Sequence, residues 1–353
     1  MRHPLAATAA TILIILLQGI APALHAQETS SKEGRTWFRR TIDFFFFDID
    51  TNFIEADAYR MNVSLKSDIR YDNYTLRGGR GDDKALTISQ RPSYSIGAYI
   101  GWEVLTVGWS VNIHETFLNR GSKTRNTDLS FSLVGTFLGC DLYYRNYKDG
   151  FRVVKSTGFG EEPNFWDKRD IDGVETKIAG INAWYIFNRR RLAYPAVYAH
   201  SSKQKRSCGS LMVGASYTLH DFHLDDGALP QDYEDFIEAH SELQEISYHN
   251  ISLGVGYTYN FAFLKNFTAN LTLLPSAAYH ISRLKQMDEG TPIYKNLNFD
   301  LLAKGGLTYN NERFFAGCTA QFRTYFNRKG HSSIVNNTGT VSIFAGFNFW
   351  RKK

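Results

Sequence analysis

Along much of this chain, apolar and polar residues alternate with a period of two. In the last segment Val341, Ile343, Ala345, Phe347 and Phe349 fall on one side, with Thr340, Ser342, Gly346 and Asn348 on the other. Successive strand residues face opposite sides of a sheet, so one face suits hydrocarbon and the other suits water. The pattern recurs in 104–113, 246–260, 267–283, 298–310 and 313–327. In 267–283, for example, Phe267, Leu271, Leu273, Tyr279 and Ile281 oppose Thr268, Asn270, Thr272, His280 and Ser282; in 298–310 and 313–327, Lys304 and Arg323 fall on the polar face. Repeated amphipathic strands closing on an aromatic terminus predict an all-β fold, a transmembrane antiparallel β-barrel. Adding the weaker segments gives about 12 strands, within ~10–16.

Connection lengths orient the barrel, because such barrels pair short periplasmic turns with longer outer loops. Ala262–Asn266 and Asn310–Glu312 are short and read as periplasmic; 221–245, 284–297 and 328–336 are longer and read as outer loops. The C-terminus then lies on the periplasmic side, where the last strand would be presented to the barrel-assembly machinery.

The N-terminus adds a destination. Arg2 and His3 precede an apolar stretch from Ala6 to Leu17 and a small-residue zone from Ala21 to Ala26, the pattern of a cleaved signal peptide over residues 1–26. Residues 27–50, with Trp37, Phe38 and Phe44–Phe47 among Arg35, Arg39 and Arg40, read as a periplasmic lead-in, and 51–353 as one barrel domain. Beyond the leader no stretch reaches the ~18 apolar residues of a spanning helix. Aromatic residues nevertheless make up 15% of the chain, which suits the aromatic girdles of a barrel in the cell outer membrane, in contact with its lipid. The formal charge of +5 becomes +4 once Arg2 leaves with the signal, too mild for a nucleic-acid binder. Cys140, Cys208 and Cys318 are odd in number and sit in strand pattern; they read as packed residues, with no metal-ligating spacing. No cofactor is implied.

Several segments resemble a Bacteroidota family of outer-membrane barrels, domain of unknown function 4421. They include Asp50 to Glu55, Tyr94 to Trp109, Gly180 to Asn188, Arg190 to Ala196, Gln204 to Ser210, Gly305 to Asn311 and the closing Gly346 to Trp350. The resemblance spans nearly the whole mature chain. It implies the barrel fold and the outer-membrane location, and it carries no catalytic residue.

Two charged windows are candidate sites. Arg189, Arg190, Arg191, Lys203, Lys205 and Arg206 surround Tyr194, Pro195 and Tyr198. Facing the lumen they would form an anion-favouring ring; on a turn they would be solvated, while a docking barrel would meet a periplasmic protein partner through residues 27–50 and the short turns. The acidic window from Asp221 to Glu245 has no Lys or Arg; its Asp225, Asp226, Asp232, Glu234 and Asp235 could contact cations or simply be solvated. An embedded lipid hydrolase is the rival class. His280 and Ser282 share a face, but it is the lumenal one, and no third group orients the base. The expected role is therefore a non-enzymatic small pore or solute-binding barrel, or a docking component of an envelope assembly.

Overall fold

The computed structural model describes residues 49–353 except 57, 79–82, 103–104, 113–124, 149, 160–169, 172, 226, 228, 230, 240–244, 284–292, 330–331 and 353. The expected signal peptide and nearly all of the expected lead-in thus lie outside the described residues. The strands are β1 (Ile54–Ala56), β2 (Tyr59–Arg77), β3 (Ala85–Gln90), β4 (Ser93–Trp102), β5 (Leu105–Asn112), β6 (Arg125–Val134), β7 (Leu138–Lys148), β8 (Phe151–Thr157), β9 (Asp170–Ile171), β10 (Val174–Ile186), β11 (Ser202–Gln204), β12 (Cys208–Leu224), β13 (Glu245–Phe263), β14 (Phe267–Arg283), β15 (Ile293–Asn310), β16 (Phe314–Lys329) and β17 (Ser332–Arg351). Among the described residues two helices join them, α1 (Pro195–Tyr198) and α2 (Gln231–Ala239).

β2, β4 to β7, β10 and β12 to β17 follow one another as antiparallel neighbours, and β17 pairs back onto β2 from Ser333↔Arg77 to Arg351↔Tyr59. Twelve strands therefore close a barrel, which satisfies every ladder and leaves no edge in the ring. The alternation sets the faces. Leu253 and Ile343 are 67% and 65% exposed on the outside, while their inward neighbours Asn250 and Thr258 are fully buried. Phe187, Phe261, Phe263, Phe314, Phe347 and Phe349 project outward near the short turns, and Tyr94, Tyr217, Tyr279 and Phe326 near the other end. An apolar band this extensive between two aromatic belts needs lipid to cover it. The protein is an outer-membrane β-barrel.

The outer end departs from a simple barrel. Above Arg70, β2 leaves β4 and pairs with β3 through Asn73–Arg77, and β3 carries β8 and β9 as a three-stranded extension. Here the inward positions turn apolar. Tyr74, Leu76, Tyr147, Phe222, Leu224, Tyr248 and Ile334 of the wall bury against Leu86, Ile88, Phe151 and Val153 of the extension. Helix α2 adds Tyr233, Phe236 and Ile237 to the same core. A nine-residue helix is marginal alone; burial worth roughly 1.5–3 kcal/mol per large apolar side chain holds it in place.

This corrects the reading of 221–245 as a long solvated loop: the β12–β13 ladder runs out to His223↔Glu245, and the connection contains a helix that fills the barrel mouth. Likewise 328–336 is mostly ladder, from Lys329↔Ser332 inward.

Candidate functional site: an interior chamber between a plug and an outer core

The short-turn end is filled by the connection from β10 to β12. Between Arg191 and Lys203 the sequence has no acidic or basic residue but His200, and Pro195 prevents strand continuation. Leu192, Ala193, Tyr194, Ala196 and Val197 are all buried, and α1 packs against β14 and β15 inside the barrel. Gly306 makes the contact possible, because a Cβ there would stand 2.5 Å from Val197 Cγ1. On the opposite side the Tyr194 ring meets Trp184 at a centroid distance of 5.8 Å and Tyr198 at 4.6 Å.

Polar groups of the wall then satisfy the plug's backbone, as a buried loop requires. Gln204 Oε1 accepts from Ala193 N (2.8 Å) and Asn260 Nδ2 (3.0 Å). Its Nε2 donates to the carbonyls of Phe53 (3.2 Å), Arg191 (2.7 Å) and Arg206 (2.8 Å). Asn260 Nδ2 also reaches Ala193 O at 2.8 Å. Tyr198 Oη donates to Asn270 Oδ1 (2.9 Å), which joins a buried ladder through Thr258, Asn260 and Thr272. Beneath the plug, β1 and β11 pair from Ile54↔Gln204 to Ala56↔Ser202.

His200 ends the plug with its ring between Phe315 and Phe344, at centroid distances of 4.4 and 4.2 Å. Its φ of 58° is an unusual conformation for a residue other than glycine, and its Nδ1 has no hydrogen-bond partner. What exposure it keeps is toward the chamber it helps line. Burial, with the nearby Lys66 charge adding to it, pushes its pKa down to about 3.

The basic window lies differently from a lumenal ring. Arg190, Arg191, Lys205 and Arg206 are exposed at the short-turn end, and what enters the lumen is the apolar segment between them. Arg189 lies over the Phe137 ring (5.2 Å) and Arg191 over Phe53 (5.0 Å), with Arg191 Nε 3.5 Å from Asp50. Lys203 Nζ pairs with Glu55 (3.2 Å) and Glu312 (3.4 Å), and Lys205 Nζ donates to Thr51 O (2.9 Å). The expectation that these residues line the lumen is thus corrected: lumenal positions on this segment are taken by side chains that can be desolvated cheaply.

The acidic window is also dispersed. Asp225 is exposed and meets His223 Nε2 at 2.9 Å, whereas Glu234 and Asp235 ride on α2, as does Asp232 by position. Asp226 lies outside the described residues. Among the described residues no three His, Cys, Asp or Glu side chains converge as a metal would need. His280 lies flat on Tyr248 at 5.3 Å inside the barrel, away from the bilayer, and His220 stacks on the other face of that ring at 4.7 Å.

Between plug and outer core lies a chamber of about 240 Å³. Among the described residues five cationic side chains line it, Lys66, Arg70, Arg145, Lys304 and Arg323, with one lining carboxylate, Asp141. Further carboxylates stand in or behind the wall. Asp68 holds Lys66 at 3.1 Å, Asp300 accepts from Asn250 Nδ2 at 2.7 Å, and Asp72 is fully buried. The side chains facing the chamber are therefore more positive than the wall as a whole. Alternation already puts Lys304 and Arg323 on the inner face. That Lys66, Arg70 and Arg145 meet them is invisible in the sequence, since each is a single charge in a separate strand and only closure of the ring brings them together.

The family described as domain of unknown function (DUF4421) matches residues 48–349, and the chain belongs to it. Comparison with curated proteins finds no match. Among solved structures the chain is similar to the outer-membrane protease OmpT of Escherichia coli, at 9% identity and a TM-score of 0.38, over 83% of this chain and 97% of that one. The translocator domain of the autotransporter NalP from Neisseria meningitidis gives 12% identity and a TM-score of 0.30, over 98% and 97%. The β domain of the Bordetella autotransporter BrkA gives 9% and 0.35, over 83% and 100%. No activity is carried over from any of them.

Proposed function

We propose that this member of the DUF4421 family is a non-enzymatic, plugged barrel that holds a small anionic solute in its interior chamber and conducts only when the periplasmic plug moves. The observation that carries this reading is the set of five cationic side chains on one chamber, between a plug and an outer core. A chamber with low-dielectric walls focuses the field of its charges and raises the local concentration of counter-ions. Charged rings select the sign of the permeating ion in the same way. The plug is fastened by hydrogen bonds rather than covalently, so its displacement is a conformational change of the kind that gates access.

Planar-bilayer recording of the refolded protein tests this. The intact barrel should be silent, and a variant with 192–199 replaced by a Gly-Ser linker should show anion-selective steps. Adding Arg145→Gln and Arg323→Gln should erase the selectivity. Cation-selective steps from the plugless barrel, or silence once heat-modifiable folding is confirmed, would refute the proposal. A docking role is favoured by a separate observation, the exposed Arg190, Arg191, Lys205 and Arg206 at the short-turn end. It predicts capture of an acidic periplasmic protein that is lost when these four become Ser.

A further inference from the structure

One feature of the lumen is not explained by anion binding alone. The inward side chains of the middle barrel include polar, charged and aromatic groups, and among them the aliphatic Met212 on β12 and Leu274 on β14 are buried beside the Trp184 indole. The plug's Tyr194 covers part of this apolar surface. What it leaves uncovered is a recess of about 40 Å³ whose far side is kept open by Gly214, Ser216 and Ser252. The recess is continuous with the chamber, because Asn182, Trp184, Tyr194, Lys304, Arg323 and Tyr325 line both.

At the junction stands Arg323, 8% exposed. Its Nη1 donates to two neutral acceptors, Asn182 Oδ1 at 2.8 Å and Tyr325 Oη at 2.9 Å, and its Nε has no partner. Asp300 also lines the recess and is close enough to feel the guanidinium charge, yet no carboxylate among the described residues forms an ion pair with Arg323. A buried guanidinium with a donor to spare calls for an acceptor, best a charged one. Beside it Lys304 Nζ lies 5.1 Å from the Trp184 ring centroid and makes a loose 3.4 Å pair with Asp141.

We propose that the chamber and recess together take a monocarboxylate with a short alkyl chain, its carboxylate on Arg323 and Lys304 and its chain end between Met212, Leu274 and Trp184. This rests on the anion-binding reading and narrows it. An inorganic anion would use the guanidinium and leave the recess unfilled, whereas an alkyl chain gains from each methylene removed from water.

The test is equilibrium dialysis of the full mature barrel in lipid nanodiscs against acetate, butanoate, hexanoate and inorganic phosphate, with Arg323→Gln and Ser216→Leu alongside. Affinity should rise about tenfold for every two methylenes seated in the recess. Ser216→Leu, which fills the recess, should flatten that series; Arg323→Gln should weaken all three carboxylates at least tenfold. Equal binding of acetate, hexanoate and phosphate by the wild type would overturn the alkyl-carboxylate inference and leave anion binding standing. Absence of binding by any of the four would overturn both. A chain-length series that survives Ser216→Leu would also overturn the inference, because lipid rather than the recess would then be taking the chain.

Discussion

Replacing Gln204 by Leu removes the centre of the plug's attachment and little else, since the two side chains are similar in size and Gln204 is buried. Its Oε1 accepts two hydrogen bonds and its amide hydrogens are shared among three carbonyls. At about 1 kcal/mol net for each bond, the loss is about 4 kcal/mol. If the energy falls on the docked plug, the ratio of seated to released plug drops by about three decades. Two assays read this. Hydrogen exchange in 192–199 should accelerate while the β12–β15 ladders stay protected, and bilayer recordings should gain openings that the wild type lacks. Gln204→Glu keeps both acceptor contacts and loses the donated ones, and it should fall between. Unchanged protection of 192–199 in a folded Gln204→Leu barrel would refute the reasoning, because it would mean the apolar contacts of Tyr194 and Val197 hold the plug without the hydrogen bonds.

Acidification should loosen the same plug. The folded pKa of His200 is lowered to about 3 from an ordinary 6.5, so the released form binds the extra proton and stability falls as pH drops through that window. At pH 5 the loss is about 2 kcal/mol; more openings at pH 5 than at pH 7.5, abolished by His200→Phe, is the expected result, and openings that are independent of pH would count against it. Phe236→Ala on the outer helix should cost roughly 3–5 kcal/mol of packing and make 225–245 sensitive to external protease with the ladders intact. Arg190→Ser with Arg191→Ser, in a Gln204→Leu background, should leave ion selectivity unchanged, because both guanidinium groups lie outside the chamber; a loss of anion preference would return them to the conduction path.

Leu253 and Thr258, or Ile343 and Ser342, declare their faces by alternation alone, because lipid and lumen impose opposite requirements on adjacent residues. The inward placement of Lys304 and Arg323 follows from the same rule. The plug did not follow from it. Arg189 to Arg191 and Lys203 to Arg206 draw attention by charge, yet the eight residues from Leu192 to Ala199 do the filling, and they carry neither strand period nor helical length. The outer core is not legible for a related reason: at Tyr74, Leu76, Phe222 and Leu224 the inward face becomes apolar, which breaks the alternation.

By itself the sequence determined the class of fold, the strand faces and the membrane, since a period of two with one hydrocarbon face is a local property that each strand states independently. Only the tertiary structure decided what fills the barrel. Gln204 meets Ala193 and Asn260, and Arg323 meets Asn182, across separations of 11, 56 and 141 residues. Contacts of that range exist only once ring closure has fixed which strands face each other, and no local pattern encodes them.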